Sequence, residues 1–443
     1  MSLIVWMRTG CRCQTTPFRV ANWTRAAQLA ASLLVASIVP AVADPRTAID
    51  ATSVPSNQFA DGTRSLSDFR STSGFEAIVP VSVEAGAIIL EVNFNGRGPL
   101  PMMFDTGARS AVTPETAAAL GLTTEATTAT FQDSGDRTLP VGLTRFATVG
   151  LGNLELADQP FAVVSLPPYL TDRGTTRPPL AGVIGSELLE RLAVRLDYDH
   201  GTLTLISGAD FRYQGNGARL PLALIGNLPA VPAAADGIEG RFAIDTGSTG
   251  ALTLRREFVE EHHLEDRHPT ALRIKSIGVG GPFEALLTRL DNFDVAGSRV
   301  ESPATRFPAG GEQEHELAGF DGVVGYEILR QFSITFDCAH LGLWFEHSSA
   351  FGTRTGGRSA GFQAIRIGGA GFRVITILPN TAAAAAGIRV GDLITDINGR
   401  STIPMSLGEF AELMRKPGEV SVHLGLSRDG AAVAVAIDLK DTL

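Results

Sequence analysis

Asp105 and Asp245 each open an Asp-Thr-Gly triplet, within Phe104-Asp105-Thr106-Gly107-Ala108 and Ile244-Asp245-Thr246-Gly247-Ser248. Two carboxylates brought to one place can hydrolyse an amide with neither a metal nor a covalent nucleophile. One deprotonates a water while the other protonates the carbonyl oxygen. At about 3 Å they cannot both ionise, so they share a proton, and their apparent pKa values split and belong to the pair. The glycine after each Asp-Thr lets the backbone turn sharply and approach a partner lobe. Thr106 and Thr246 add hydroxyls able to bond across such a junction and hold the carboxylates coplanar.

The elements that would position these groups are duplicated. The two triplets lie 140 residues apart, and Gly182-Val183-Ile184-Gly185 recurs as Gly322-Val323-Val324-Gly325 at the same offset. Ser186–Leu192 aligns with Tyr326–Phe332, Asp197 with Asp337, and Val79-Pro80 has its counterpart in Leu220-Pro221. Matched motifs, flanks and spacing identify a repeat. Each copy shows short apolar runs such as Ala87–Phe94 and Met102–Phe104, parted by the turn Asn95-Gly96-Arg97-Gly98 and read as strands. Short helical stretches follow each triplet, over Pro114–Leu120 and Arg255–Leu264, with Pro114 suited to a first helical position. A hairpin is expected near Asp199-His200-Gly201. Many short strands and few helices predict a mainly β fold.

The doubled motifs, each followed by an apolar-apolar-Gly segment, resemble the retropepsin and pepsin superfamily of aspartic peptidases, over roughly residues 79–346. The resemblance implies a bilobal acid-protease fold from an internal duplication, with Asp105 and Asp245 catalytic. It implies that Gly185 and Gly325, at the ends of the apolar-apolar-Gly segments, support the catalytic loops beside Thr106, Gly107, Thr246, Gly247 and Ser248. In that superfamily the residue at Ser248 hydrogen-bonds the aspartate and favours its charged form. Ala108 stands at the matching place, which makes the dyad asymmetric and predicts activity at weakly acidic pH. Arg109 either pairs with a nearby acid or contacts substrate. Flap candidates are Ser134-Gly135 and Gly278-Val279-Gly280-Gly281, whose glycines suit a mobile hairpin tip. Neither stretch contains tyrosine, so a pepsin-type flap tyrosine does not carry over.

Residues 362–443 differ in texture. Ala386-Gly387-Ile388-Arg389-Val390-Gly391-Asp392-Leu393-Ile394 with Ile397-Asn398-Gly399 resembles a PDZ domain, an α+β unit. That resemblance implies that a peptide adds as a strand beside Phe372–Ile377, its terminal carboxylate received by Gly369, Ala370, Gly371 and Phe372. Ser406-Leu407-Gly408-Glu409 predicts a capping box for a helix running to about Lys416.

The expected organisation is a signal peptide over 1–43, an extended leader over 44–76, lobe 1 over 77–210, lobe 2 over 211–346, a linker over 347–361 and the PDZ domain over 362–443. The signal reading rests on Arg8, Arg12, Arg19 and Arg25 ahead of the apolar stretch Ala26–Val39, then Ala41-Val42-Ala43. It predicts export, to the periplasm of a bacterium, without stable membrane insertion once the signal is cleaved. Removing 1–43 takes away four arginines and no acids, moving the net charge from −10 to −14. Such acidity disfavours a nucleic-acid partner. Cys338 is then the one remaining cysteine, so no intrachain disulfide forms, and it is expected in a buried strand. Glu260-Glu261-His262-His263 with His268 reads as a solvated helix face rather than a metal site. No cofactor is expected. The expected activity is aspartic endopeptidase acting on peptides or proteins, with the PDZ domain recruiting peptide tails or regulating access. The alternative is a non-catalytic peptide-binding or scaffold protein on a degenerate protease fold.

Overall fold

The structure is a computed structural model that describes residues 76–132, 138–207, 211–225, 228–278, 281–309, 319–356, 358–415 and 421–441. The signal, nearly all of the leader, Ser134-Gly135 and Val279-Gly280 lie outside the described residues.

Lobe 1 is built on the hairpin Ala87–Phe94 and Arg97–Phe104. Asn95 and Gly96 close it with φ of 52° and 73°, the left-handed pair that a two-residue hairpin turn demands and that Asn-Gly supplies. Its register sets Ile88 opposite Phe104 and Leu90 opposite Met102, all buried in the main core. Strand alternation sends Ile89 and Met103 to a second apolar cluster on the other face. Lobe 2 repeats the plan with the hairpin Leu228–Ala235 and Ile238–Ile244.

The lobes join through equivalent strands of the repeat. Leu192–Asp197 and Phe332–Asp337 pair antiparallel, with Val194 opposite Phe336, Arg195 opposite Thr335 and Leu196 opposite Ile334. Arg195 and Thr335 occupy the same place in the two copies, 140 residues apart, so the pseudo-two-fold axis passes between them. This pairing draws strands of both lobes into a 13-stranded sheet, while most of lobe 2 forms a 10-stranded sheet. One hydrophobic core runs from Ala77 to Phe345 through both lobes. Each lobe therefore depends on the other for burial.

Thr113 caps the helix Pro114–Ala119, accepting from the Thr116 N–H. The stretch expected as one helix over Arg255–Leu264 is instead two, Arg256–Glu261 and Leu264–Arg267. His263 stands between them at φ 51°, a conformation that a continuous helix cannot contain. Asp197 and Asp337 organise turns: Asp197 accepts from the N–H groups of Asp199 and His200, and Asp337 from that of His340. Cys338 is buried, as expected, but in the 3-10 turn Cys338–His340 after the strand. Burial first, then Asp337 and Glu190, pushes its thiol up to about 12, so it is not a thiolate nucleophile.

The C-terminal domain has its own core, centred on Phe372 and Phe410, whose rings stack at 4.1 Å. Its sheet runs Phe362–Ile367, Gly371–Ile377, Leu393–Ile397, Ser421–Arg428, Ala431–Asp438, with Arg400–Ser401 paired to the third strand. The capping box forms: Glu409 N–H donates to Ser406 Oγ at 3.1 Å, and Ser406 N–H to Glu409 Oε2 at 2.7 Å, opening the helix Leu407–Arg415. Among the described residues no helix is long and apolar enough to cross a membrane.

Candidate active site

Each aspartate ends a strand threaded by its lobe's apolar-apolar-Gly segment. Gly182–Ile184 runs parallel to Met102–Phe104, and Gly322–Val324 parallel to Phe242–Ile244. The Asp105 N–H donates to Ile184 O at 3.0 Å and the Asp245 N–H to Val324 O at 3.1 Å. Gly185 and Gly325 sit where a Cβ would lie 2.5 Å from Ala108 O and 2.6 Å from Ser248 O respectively. Neither site has room for a side chain, so these glycines let the apolar-apolar-Gly segment lie directly behind the Asp-Thr-Gly loop.

The two triplets interlock. Thr106 Oγ1 donates to Ile244 O at 2.7 Å and accepts the Thr246 N–H at 3.1 Å. Thr246 Oγ1 donates to Phe104 O at 3.0 Å and accepts the Thr106 N–H at 2.9 Å. A Cβ on Gly107 would fall 2.7 Å from Asp245 Oδ1, and one on Gly247 would fall 2.2 Å from Asp105 Oδ2. Each glycine thus vacates the space that the other lobe's carboxylate fills.

Each carboxyl fills the space beside the other lobe's triplet glycine, so Asp105 and Asp245 face each other across the junction, the arrangement in which two carboxyls share one proton. Asp245 Oδ2 is buried with no donor from the described residues. Oδ1 of each aspartate takes the N–H of its own lobe's glycine, Gly107 or Gly247, at 2.8 Å. Burial pushes the Asp245 carboxyl above the usual carboxylate range, against the pull of the Gly247 and Ser248 N–H groups and of Asp105. The Ala108 and Ser248 N–H groups donate alike to the main-chain oxygens of Asp105 and Asp245, at 3.2 and 3.3 Å, and the Ser248 N–H also reaches Asp245 Oδ1 at 3.2 Å.

Sequence reasoning missed a pair of glutamates at matching repeat positions, Glu187 and Glu327. Glu187 accepts the Ser110 N–H and Oγ–H, each at 2.9 Å, and pairs with Arg109 Nε at 2.9 Å. Arg109 also meets Glu190 at 2.8 Å, so it braces the loop after Asp105 through acids of its own lobe. In lobe 2 the Glu327 N–H donates to Gly250 O at 3.1 Å. The signal was present in the 140-residue offset, which aligns the two acids.

Strand parity fixes where the site faces. Phe104 and Ile244 point into the core, so Asp105 and Asp245 share the opposite face with Met103 and Ala243. Both aspartates are 0% exposed.

The C-terminal domain departs from expectation. Gly369 and Ala370 form the hairpin turn between Phe362–Ile367 and Gly371–Ile377, and the Ala370 N–H is spent on Ile367 O at 3.0 Å. Phe372 is fully buried. It is paired on one side with Arg366 and on the other with Ile394. Gly369, Ala370, Gly371 and Phe372 therefore do not form an open carboxylate cradle, and a peptide cannot add beside Phe372. Among the described residues the edge strand there is Phe362–Ile367.

Residues 90–188 and 231–328 match the aspartyl protease family model, and residues 373–428 match that of a PDZ domain. The periplasmic serine endoprotease DegP of Salmonella typhimurium is 40% identical over 76 residues, and that of Escherichia coli strain K12 is 42% identical over 76. These matches cover 16% of this chain, which spans only about 15% of either relative's length. An aspartic proteinase from Irpex lacteus aligns at 14% identity and a TM-score of 0.42, over 63% of this chain and 99% of that one.

Proposed function

We propose that this chain, which carries two aspartyl protease domains in tandem ahead of a PDZ domain, is an aspartic endopeptidase. The observation that carries this reading is the interlocked pair Asp105 and Asp245, two fully buried carboxyls each seated beside the other lobe's triplet glycine at the lobe junction. In the monoprotonated pair, the ionised carboxylate takes a proton from water as the water oxygen attacks the peptide carbonyl carbon. The protonated carboxyl gives its proton to the carbonyl oxygen. The resulting diol collapses as a proton passes to the amide nitrogen, which leaves as the amine. Thr106, Thr246, Gly107 and Gly247 position the carboxyls, and Gly185 and Gly325 support their loops. Ser248 adds one N–H to Asp245.

The substrate is a peptide or protein strand laid across the aspartate-bearing faces of lobes 77–210 and 211–346. The PDZ domain, 362–443, would take a peptide tail on its edge strand Phe362–Ile367. Residues 1–43 act as an export signal to the periplasm, the compartment named for the DegP relatives.

The complete burial of both aspartates favours a second reading, a scaffold that binds peptide without cleaving it. A statine-type transition-state analogue separates the two. The enzyme reading predicts a rise in melting temperature with the analogue, together with cleavage of a denatured protein somewhere between pH 3 and 8. Neither protection nor cleavage would leave the scaffold.

A further inference from the structure

We propose that the C-terminal domain is a latch across the catalytic cleft, pinning the candidate flap hairpin of lobe 2 and catching lobe 1 through Asp172 and Arg366. This rests on the peptidase reading of the dyad.

The first contact is on lobe 2. Leu378, at the end of the strand Gly371–Ile377, is 6% exposed and buried with Ile274 and Ala285. Those two face each other across the hairpin Leu272–Gly278 and Gly281–Arg289, in which the flap-candidate glycines Gly278 and Gly281 are the last described pair. Register shows which face this is. Leu287 of the same cluster lies opposite Arg306, Arg306 opposite Thr253, Thr253 opposite Val323 and Val323 opposite Ala243. Opposed residues share a face, and Ala243 shares its face with Asp245. Leu378 therefore rests on the face that carries the catalytic carboxylate.

The second contact is on lobe 1. Leu170 packs into the cluster of Met103 and Ala108, the aspartate-bearing face of that lobe. Two residues on, Asp172 Oδ1 accepts from Arg366 Nε at 2.7 Å. The Arg366 side chain is 1% exposed, and its other nitrogens donate to Met405 O at 2.6 Å and Ile403 O at 2.9 Å. Asp172 is the anion that this buried cation meets. Beside it Arg177 bridges Glu84 of lobe 1 at 2.8 Å and Glu409 of the capping box at 3.4 Å.

One domain thus holds the inner faces of both lobes, over carboxyls with no exposure. A substrate strand can reach them only after the hairpin lifts, and the hairpin is tied to lobe 1 through Leu378 and Arg366. Breaking either tie frees it. The cost falls mainly on the closed state, because removing the Asp172 charge leaves the guanidinium buried and unneutralised there.

The test compares full-length wild type with Asp172→Asn, which keeps the shape and removes the charge, and Leu378→Ala. Amide hydrogen exchange of residues 272–289 and kcat/KM on a quenched peptide are read in parallel. The latch predicts faster hairpin exchange and kcat/KM raised about 5-fold or more in both variants. The same exchange change is expected when each is combined with Asp245→Asn, so this arm stands even if no form cleaves and the peptidase reading fails. Unchanged exchange in both variants would overturn the latch. So would faster exchange with slower cleavage, which would make the domain a support for the flap.

Discussion

Thr106 and Thr246 exchange hydrogen bonds reciprocally: each hydroxyl accepts the other's N–H, at 2.9 and 3.1 Å, and donates to the carbonyl just before the other's aspartate. Four bonds in a fully buried junction therefore relate two residues 140 apart, and they set the separation of the carboxyls. The arrangement has the same two-fold symmetry as the pairing of Arg195 with Thr335.

Replacing Thr106 or Thr246 with valine keeps the shape and strands a buried N–H and a buried carbonyl. Each change should lower stability by about 2–5 kcal/mol, read from urea unfolding midpoints. Serine, which retains the hydroxyl, should recover most of the loss.

Gly107→Ala and Gly247→Ala should each displace the opposite carboxyl. The added Cβ would lie 2.7 Å from Asp245 Oδ1 in the first and 2.2 Å from Asp105 Oδ2 in the second. We expect kcat to fall by at least about 100-fold in both, and stability by about 1–3 kcal/mol. The Gly247 variant should be the worse, measured by peptide cleavage and thermal melting side by side.

Much of this site was legible because it is written in local motifs copied at one offset. Asp-Thr-Gly, the apolar-apolar-Gly segments and the capping box at Ser406 all depend on neighbours within a few residues or on an exact repeat. The C-terminal edge was not legible. Gly369-Ala370-Gly371-Phe372 satisfies a hairpin turn as well as a carboxylate loop, and only the sheet order reveals that Phe372 lies between two strands. Arg366 and Asp172 are 194 residues apart with no periodic signal joining them. The break at His263 turns on one left-handed residue inside a stretch of otherwise helical composition.

Burial holds Asp245 above the usual carboxylate range. The pair therefore keeps its shared proton to higher pH than two exposed carboxylates would, and activity should fall as pH rises through the upper value of the pair. The pH profile of kcat should be bell-shaped, with its alkaline limb above the ordinary aspartate value of 3.8. An alkaline limb at or below that value would contradict the burial argument.

Burial pushes Glu84 up, but Arg173 and Arg177 outweigh it and leave the carboxyl below its ordinary 4.5. A lowered folded value means that this contact stabilises the fold above the ordinary glutamate range and is lost as pH falls through the lowered one. Wild type should thus be more stable than Glu84→Gln at neutral pH, and the difference should shrink in acid. Chemical unfolding of both proteins at stepped pH would show it; a gap that widens in acid would reverse the assignment.

The most direct test of the account is the rate of peptide cleavage by Asp105→Asn and Asp245→Asn beside wild type, with far-ultraviolet dichroism confirming the fold. A dyad that shares one proton predicts that either substitution alone removes cleavage, by a factor of about 1000 or more, while the spectrum stays unchanged. Wild-type rates in a folded Asp105→Asn or Asp245→Asn protein would contradict it.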